Sequence, residues 1–482
     1  MYNKIKNIVI VFLLITAYSC DDFETDLDVE NTNNPDLAII ATDKASLEAI
    51  ASSVPRSWFM TVSGTKAPGA AFNTMADIST CSWGNFGMKD LSSEPRAPFN
   101  NTTSYGNDVT SQYFDDLYSV YANSNMVLYA LDNNTVTFDN PEMMELAAKM
   151  GRALSIGYIS LVFDSVWIHE EGEITKVSYQ KGMEFALQNL DEAIAIANTG
   201  VGMPDGSFPG ADVSGPSISK LLNSLGARML VGNVRNSSQK ANIDWAKVKQ
   251  YASNGIDADF TIFMDDVVWY DLIPKTYLVY PGWGRVDMRI INMMDSNTPN
   301  YWTDDLTIIP ESTSNDLRLI TDFQYLSSNN FRPDRGLYHF SSYRYSRHDT
   351  YITDWVMDLV EYSKAENDLY LAEAELELGN VTQAASIVNA GTRTTRGGLA
   401  NVNANYDDVK SAIFYERMVE LGFSTMGIGF FEMRKEDLLQ PGTLLHFPVP
   451  GKTLETLNEP IYTFGGTSGV AGEDYSNGGW RD

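Results

Sequence analysis

The sequence is poor in cysteine, histidine and positive charge, and each shortage excludes a class of protein. Its 482 residues include two cysteines, Cys20 and Cys81, so a framework of several disulfides is excluded. Four histidines are too few for a histidine-rich metal site. With 34 basic and 63 acidic side chains, the formal net charge is −29. Because phosphate binding requires a basic surface, nucleic acid is excluded as a partner.

Long apolar runs are also scarce. The most apolar segment, IVIVFLLITA at residues 8–17, follows Lys4 and Lys6. It is shorter than the roughly 20 residues that cross a bilayer. A short basic stretch followed by such a run is typical of a secretory signal. We therefore expect residues 1–19 to be a signal peptide; an N-terminal membrane anchor that is never cleaved is the alternative.

Acidic residues follow the apolar run in the stretch SCDDFETD at 19–26. Cys20 lies where cleavage is expected, and the segment resembles the bacterial lipobox, in which the new N-terminal cysteine is acylated. The acids that follow resemble the surface-export signal of Bacteroidetes lipoproteins. The resemblance implies that Cys20 carries a lipid anchor and that residues 20–42 form an acidic tether. A chance cysteine that pairs with Cys81 is the alternative.

Helical patterns alternate with loops beyond residue 42. The length exceeds the roughly 250–300 residues that one core usually serves, so we expect several parts within 43–482. These are an N-terminal part at about 43–255, a loop-rich middle at about 256–350 and a C-terminal part at about 351–482. Gly, Pro, Ser and Asn predict loops over 55–110 and in the last sixty residues, and the middle part is expected to consist of aromatic-rich loops and short strands. Apolar residues at steps of three and four predict helices at about 111–131, 142–163, 178–198, 217–231, 354–378, 381–392 and 406–421.

Two of these helices end in the same pattern. Ala-x-x-x-x-Gly-Asn occurs at Ala227 to Asn233 and at Ala374 to Asn380, each time before another helical segment. A glycine at the break can adopt the left-handed conformation that ends a helix. The pattern is typical of tetratricopeptide-like helical hairpins, although two unrelated hairpins would also explain it. The predicted fold class is mainly α, with a helical-hairpin scaffold and a large loop-rich face.

Several segments in order along the chain together resemble a known family. After the lipobox they are TCSWGNFGMKDLSSEPR (80–96), YFDDLYSVYANSNMVLYAL (113–131), YLAEAELELGNVTQAASIVNAG (370–391), FYERMVELGF (414–423), FFEMRKEDLLQPGT (430–443) and LHFPVPGKTLETLN (445–458). The chain resembles the RagB/SusD family of nutrient-uptake lipoproteins of the Bacteroidetes outer membrane. The resemblance implies tetratricopeptide-like helices with the ligand face on the opposite loops. It implies no catalysis and no cofactor.

Motifs for a rival chemistry are incomplete. SISK at 217–220 matches a Ser-x-x-Lys nucleophile motif without a Lys-Thr-Gly partner, so a helix N-terminus explains it better. HEEGE at 169–173 lacks the second histidine of a zinc protease motif. The acidic pairs Asp265–Asp266 and Asp304–Asp305 could serve a glycosidase, but 63 acids produce adjacent pairs by chance.

Aromatic residues in turn-rich loops are the candidate binding residues. Sugar rings have apolar faces that stack on exposed aromatic rings, and polar side chains can bond their hydroxyls. The alternative is that these rings belong to the core. The candidate rings lie in two loop regions, at 82–85 and at 269–302. Because the family binds ligands through loops in these two regions, the resemblance supports the choice. We expect stacking from Trp83, Trp283 and Trp302, and more weakly from Tyr280 and Tyr301, with polar contacts from Asn85, Asp77 and Arg96.

Two classes of function remain open. The first is a non-catalytic, lipid-anchored glycan-binding protein on the outer-membrane surface. The family resemblance implies that such a protein delivers oligosaccharides to a SusC-like TonB-dependent transporter; a peptide ligand is the alternative within the family. The second is a secreted enzyme such as a glycoside hydrolase.

The first testable prediction concerns the anchor. Substitution of Cys20 by alanine removes the acylated thiol, so the protein should no longer fractionate with membranes as a lipoprotein. Metabolic labelling with an alkyne fatty acid and membrane fractionation measure the change. Cys81→Ala is the matched control and should leave both unchanged. Membrane attachment of Cys20→Ala equal to that of the parent chain would contradict the lipid anchor.

Overall fold

Helices form most of the chain, which we describe from a computed structural model. Helix α1 (Lys44–Ser63) is followed by α2 (Gly69–Met75), strand β1 (Ser79–Thr80), a 3-10 turn (Asn85–Gly87) and α3 (Met88–Ser92). The prediction of loops over 55–110 is wrong for these helices. In α1, Trp58, Phe59 and Val62 are buried and outweigh the helix-breaking tendency of Pro55. The structure describes residues 42–64, 66–81, 85–102, 104–170, 173–271, 284–302, 309–327, 339–466 and 474–480.

Four predicted helices of the N-terminal half are confirmed. They are α4 (Ser104–Asp132), α5 (Pro141–Val162), α6 (Tyr179–Ala197) and α7 (Gly215–Gly232), with strands β2 (Ser165–Glu170) and β3 (Glu173–Ser178) between α5 and α6. Helix α5 packs against α1, α4 and α6. Because helices surround it, α5 is buried along most of its length, from Leu146 to Val162 on nearly all sides.

The helical hairpins are confirmed as the scaffold. Helix α7 packs against α9 (Trp245–Ser253), after a short α8 (Ser237–Lys240), and α9 packs against α13 (Lys364–Glu377). Helix α13 forms a hairpin with α14 (Val381–Ala390), and α16 (Tyr406–Val419) packs on both. Between them lie α10 (Met288–Met294), α11 (Arg318–Thr321), α12 (Thr350–Thr353) and α15 (Thr392–Thr395).

The two glycines of the repeated pattern serve different purposes. Gly379 has a φ of +83°, as predicted for a left-handed helix end. Gly232 lies inside α7, and a Cβ there would lie 3.1 Å from Leu161 Cδ2. Glycine at position 232 therefore allows α7 to approach α5 closely. The prediction that Gly232 adopts a left-handed helix end is wrong.

The described strands pair as antiparallel two-stranded ribbons. Residues 354–363 were expected to be helical, but Met357 to Tyr362 form a strand with alternating burial, whose period of two is that of a sheet. The short strands expected in the loop-rich middle part are present, although α10 also lies there. The ribbons pair β1 with β5 (Arg285–Val286), β2 with β3, β4 (Phe260–Met264) with β8 (Met357–Tyr362), and β6 (Phe323–Tyr325) with β7 (Tyr343–Tyr345).

The C-terminal segment returns to the N-terminal half. Helices α17 (Ile428–Lys435) and α18 (Gly451–Thr456) lie where the sequence predicts loops. The ring of Phe430 on α17 stacks on Phe72 of α2, with centroids 4.4 Å apart. Buried apolar side chains form a continuous core from Leu47 to Leu454. The division of 43–482 into three parts remains a prediction. None of the described helices has the length and apolarity needed to cross a membrane.

Buried arginines join the C-terminal elements. The guanidinium of Arg318 is completely buried and donates two hydrogen bonds to Glu416, at 2.7 and 2.9 Å, and others to Asp316 and Glu420. Burial alone would raise the pKa of Asp316, but the hydrogen bond and charge of Arg318 outweigh it and lower that pKa.

The second prediction follows from this cluster. Arg318→Met should destabilise the protein by about 3–5 kcal/mol, because it leaves three buried carboxylates without their shared cation. Urea unfolding measures the loss. Lys220→Ala, which breaks the exposed pair with Asp257, is the control and should cost under about 1 kcal/mol. Equal effects of the two substitutions would show that the buried cluster does not stabilise the fold.

Candidate functional site

The β1–β5 ribbon joins chain regions that are far apart in the sequence. Ser79 pairs with Val286 and Thr80 with Arg285. A third segment, which contains Ser341, extends the ribbon. The N–H of Ser341 donates to the carbonyl of Val286 at 2.9 Å. Such short strands have no sequence pattern of their own, and their backbone pairing fixes the loops on either side of them.

The ribbon brings the ends of the two predicted binding loops together. In an antiparallel pair, the end of one strand lies beside the beginning of the other. Cys81, which follows β1, and Gly284, which precedes β5, therefore lie at the same end of the ribbon. The predicted residues Trp83, Tyr280 and Trp283 lie outside the described residues. Asn85 begins the 3-10 turn, but its side chain also lies outside the described part of the chain.

Tyr301 and Trp302 lie against His339 and Phe340, which belong to the segment that extends the ribbon. The backbone N–H of Trp302 donates to His339 Nδ1 at 3.0 Å, and its indole Nε1–H donates to the carbonyl of Phe340 at 2.8 Å. Its ring also packs on Phe340, with centroids 4.9 Å apart. The half-buried indole is thus held in one orientation. Tyr301 is 45% exposed and meets the His339 ring edge-on.

A carboxylate completes this surface. Because His339 Nδ1 accepts a hydrogen bond, its proton is on Nε2, which faces Glu94 Oε2 at 3.2 Å. We call Tyr301, Trp302, His339 and Glu94 the aromatic platform. It offers one exposed ring, one fixed indole and a polar pair, which is a combination that can stack on a ligand ring and bond its polar groups.

Asp77 and Arg96 lie in the interior. Arg96 Nη2 donates to Asp77 Oδ1 at 3.1 Å, and Arg96 Nε donates to Thr443 Oγ1 at 2.9 Å. The indole of Trp480 donates to the other Asp77 oxygen at 2.6 Å. Both charged side chains are buried, and these bonds fasten the C-terminal segment to the chain that leads into β1. Their direct contact with a ligand remains a prediction.

A pocket with buried ionisable side chains lies elsewhere, between α1, β8 and residues 420–426. It has a volume of about 310 Å³ and is lined by Ser63, His348 and Glu361 among others. Burial, and then the charge of Asp271, raise the pKa of Glu361 to about 8. Burial, and then the charge of Arg347, lower the pKa of His348 to about 3. Both groups are therefore largely neutral at pH 7. No sequence motif marks this pocket.

A cleft between α1 and α4 has a volume of about 370 Å³. Its lining includes the neutral polar side chains of Ser57, Thr61, Gln112 and Asn123, together with Tyr270. Ser57 and Thr61 lie one turn apart on α1, and Gln112 and Asn123 lie on one face of α4, so helical spacing could have indicated the polar face of each helix.

An acidic cluster is already neutralised by basic side chains. Carboxylate oxygens of Glu373, Glu432 and Glu436 lie within 4.8 Å of one another. Arg417 contacts Glu373 at 2.6 Å and Glu432 at 2.7 Å, and Lys435 pairs with the same two residues. Although burial acts to raise the pKa of Glu373, the positive charges lower it well below its usual range. The cluster is therefore an ion-pair network.

Comparisons with known proteins identify the fold. No protein family model matches the sequence, and no curated protein matches it. Many solved structures match, including a SusD superfamily protein from Bacteroides vulgatus, with 12% identity, a TM-score of 0.60, and coverage of 86% of this chain and 97% of that one. The chain therefore has the SusD-like fold, which confirms at the level of the fold the resemblance found in the sequence.

Two further matches are a glycan-binding protein and a structure with an oligosaccharide. A surface glycan-binding protein A from Bacteroides uniformis is 14% identical, with a TM-score of 0.56 over 88% of this chain and 99% of that one. A structure with xylogluco-oligosaccharide is 14% identical, with a TM-score of 0.53 over 86% of this chain and 85% of that one. At these identities the matches establish the fold.

The third prediction concerns Glu361. A folded pKa of about 8, above the usual 4.5, means that the unfolded chain releases this proton first as pH rises. The free energy of unfolding should therefore fall between about pH 4.5 and pH 8 relative to that of Glu361→Gln. The variant should be the more stable at pH 9, by a few kcal/mol.

Urea unfolding at pH 5, 7 and 9 measures this difference. The exposed carboxyl of Glu455, changed to glutamine, is the control for the loss of one acid. A difference between Glu361→Gln and the parent chain that stays constant over this range would show that Glu361 is ionised in the folded protein.

Proposed function

We propose that the protein is a non-catalytic surface lipoprotein that captures oligosaccharides and delivers them to a SusC-like TonB-dependent transporter. The observation that carries the proposal is the pairing of β1 with β5, extended by the segment that holds the aromatic platform. Because β1 pairs with β5, the ends of the two predicted binding loops lie side by side. The fold shared with a surface glycan-binding protein and with a structure containing xylogluco-oligosaccharide supports a sugar ligand.

The chemistry of the platform suits a neutral sugar. Pyranose rings present C–H faces, which pack on an exposed ring such as Tyr301 or on a fixed indole such as Trp302. The sugar hydroxyls can donate to the partly exposed carboxylate of Glu94, which His339 faces from the other side. A net charge of −29 disfavours polyanionic glycans, so neutral oligosaccharides are the proposed class.

Absence of catalysis is part of the proposal. Asp265–Asp266, one of the pairs considered for a glycosidase, follows β4. The Asp265 carboxylate accepts hydrogen bonds from the N–H groups of Val267, Val268 and Trp269, so it serves as a turn-forming group. Asp304–Asp305 lies outside the described residues. A secreted glycoside hydrolase is the competing function, and the release of new reducing ends would reveal it.

Anchoring and delivery complete the proposal. Acylation of Cys20, with residues 20–42 as tether, would hold the protein on the cell surface at the outer membrane. The lipobox and the motifs of the family resemblance support this location and the transporter partner. Peptides are the alternative ligand within the same fold.

The fourth prediction tests sugar capture on residues 21–482. Tyr301→Ala should weaken glycan binding about tenfold, because loss of one contacting aromatic ring costs roughly 1–2 kcal/mol. Tyr301→Phe should retain most of the affinity, and Trp302→Phe should retain more than Trp302→Ala. Tyr406→Ala, which removes an exposed tyrosine on α16, is the matched control and should bind normally.

A glycan and peptide array followed by calorimetry provides the measurement. Circular dichroism should show unchanged helical content for Tyr301→Ala, since this side chain is largely outside the core. Normal glycan binding by both alanine variants would contradict the proposed platform. Binding of peptides alone would select the alternative ligand.

A further inference from the structure

The β4–β8 ribbon has apolar side chains exposed at one end. Met264 pairs with Met357, so the chain leaving β4 and the chain entering β8 lie side by side. Val267 is 78% exposed and Val356 is 51% exposed. We call Val267, Val268, Trp355 and Val356, all of which are exposed, the apolar ribbon end.

Hydrogen bonds hold the backbone of this surface. Asp265 Oδ1 accepts from the N–H groups of Val267 and Val268 at 2.9 and 2.7 Å. Arg56 Nε on α1 donates to the carbonyl of Val268 at 3.1 Å. On the facing segment, Asp354 Oδ1 accepts from the N–H of Val356 at 3.1 Å. The two turns are therefore fixed, and the valines remain exposed while the adjoining Trp269 is buried.

The exposed face of the ribbon continues the apolar surface. Phe263 and Val360 are exposed, while Ile262, Met264 and Leu359 on the opposite face are buried. A two-stranded ribbon with one buried face normally carries polar side chains on the other. Phe263 and Val360 lie on the outer face on either side of the acidic Asp358, next to the apolar ribbon end, and exposed apolar side chains rimmed by polar ones are typical of an interaction site.

Charge around the patch restricts its occupant. Asp265, Asp266, Asp354 and Asp358 lie on the same turns and strand, and the cation Arg56 contacts the carbonyl of Val268. A second copy of this chain would bring like charges together, and both copies carry a net charge of −29. Anionic lipid headgroups would be repelled in the same way.

We propose that the apolar ribbon end docks another protein, whose surface has an apolar centre surrounded by lysine or arginine. Valine and tryptophan side chains would bury the centre of the contact, and the aspartates would pair with the basic rim. Complementary charge of this kind mainly speeds association and selects the partner. This inference goes beyond oligosaccharide capture and does not depend on it, because the aromatic platform lies on a different ribbon.

Site-specific photo-crosslinking on the full chain in living cells tests the proposal. The crosslinking residue is placed at Val267 or Val356, and in the control at Ile320, which is 82% exposed elsewhere. Positions 267 and 356 should give an adduct with the same protein, and position 320 should not. The crosslinked peptide, identified by mass spectrometry, should contain apolar residues flanked by lysine or arginine.

Charge reversal supplies the second readout. Asp354→Lys combined with Asp358→Lys should lower the adduct yield at position 267 about tenfold, while the paired asparagine substitutions should lower it less. Glycan affinity of these variants should equal that of the parent chain, and Tyr301→Ala should retain the adduct. The proposal is overturned if the adducts at positions 267 and 356 are no stronger than at position 320, or if the adduct is with a second copy of this chain. It is also overturned if charge reversal leaves the adduct yield unchanged.

Discussion

Pairing of buried arginines with carboxylates between distant helices is the interaction on which the rest of the structure depends. Arg228 on α7 donates two hydrogen bonds of 2.7 Å to Glu366 on α13, and Arg417 on α16 joins Glu373 on α13 to Glu432 on α17. The planar guanidinium matches a carboxylate in one geometry. Because an unmatched buried charge is so costly, these pairs penalise any other register of the helices.

The binding surfaces depend on this scaffold because they are made of short elements. The β1–β5 ribbon consists of two-residue strands, which have little stability of their own. Asp77 and Arg96 anchor the chain that leads into β1, and Thr443 and Trp480 link that anchor to the C-terminal segment. Internal ion pairs thus hold the chain segments next to the short ribbon against which the aromatic platform lies.

The helices could be predicted from the sequence because their signal is local. Periods of three to four residues defined α4, α5, α6, α7, α14 and α16 closely. The same reasoning failed for α1 beyond Pro55, where packing against α5 overrides a helix breaker, and for β8, whose partner β4 is remote in the sequence. In the candidate site, turn chemistry indicated that Tyr301 and Trp302 lie outside the helices. It could not reveal that Asp77 and Arg96 are buried together, because burial depends on contacts with residues from 443 to 480.

The acidity of the chain has different consequences at its two proposed surfaces. Inside the protein, carboxylates such as Glu373 and Glu416 are matched by cations, so the charge excess lies mainly on exposed side chains. A neutral sugar on the aromatic platform would bind through ring packing and hydrogen bonds. The electrostatic field of the exposed acidic side chains has little influence on these interactions. A basic protein at the apolar ribbon end would be attracted by the field before contact. Ligand affinity and partner association therefore rest on different forces, and either can change by mutation without loss of the other.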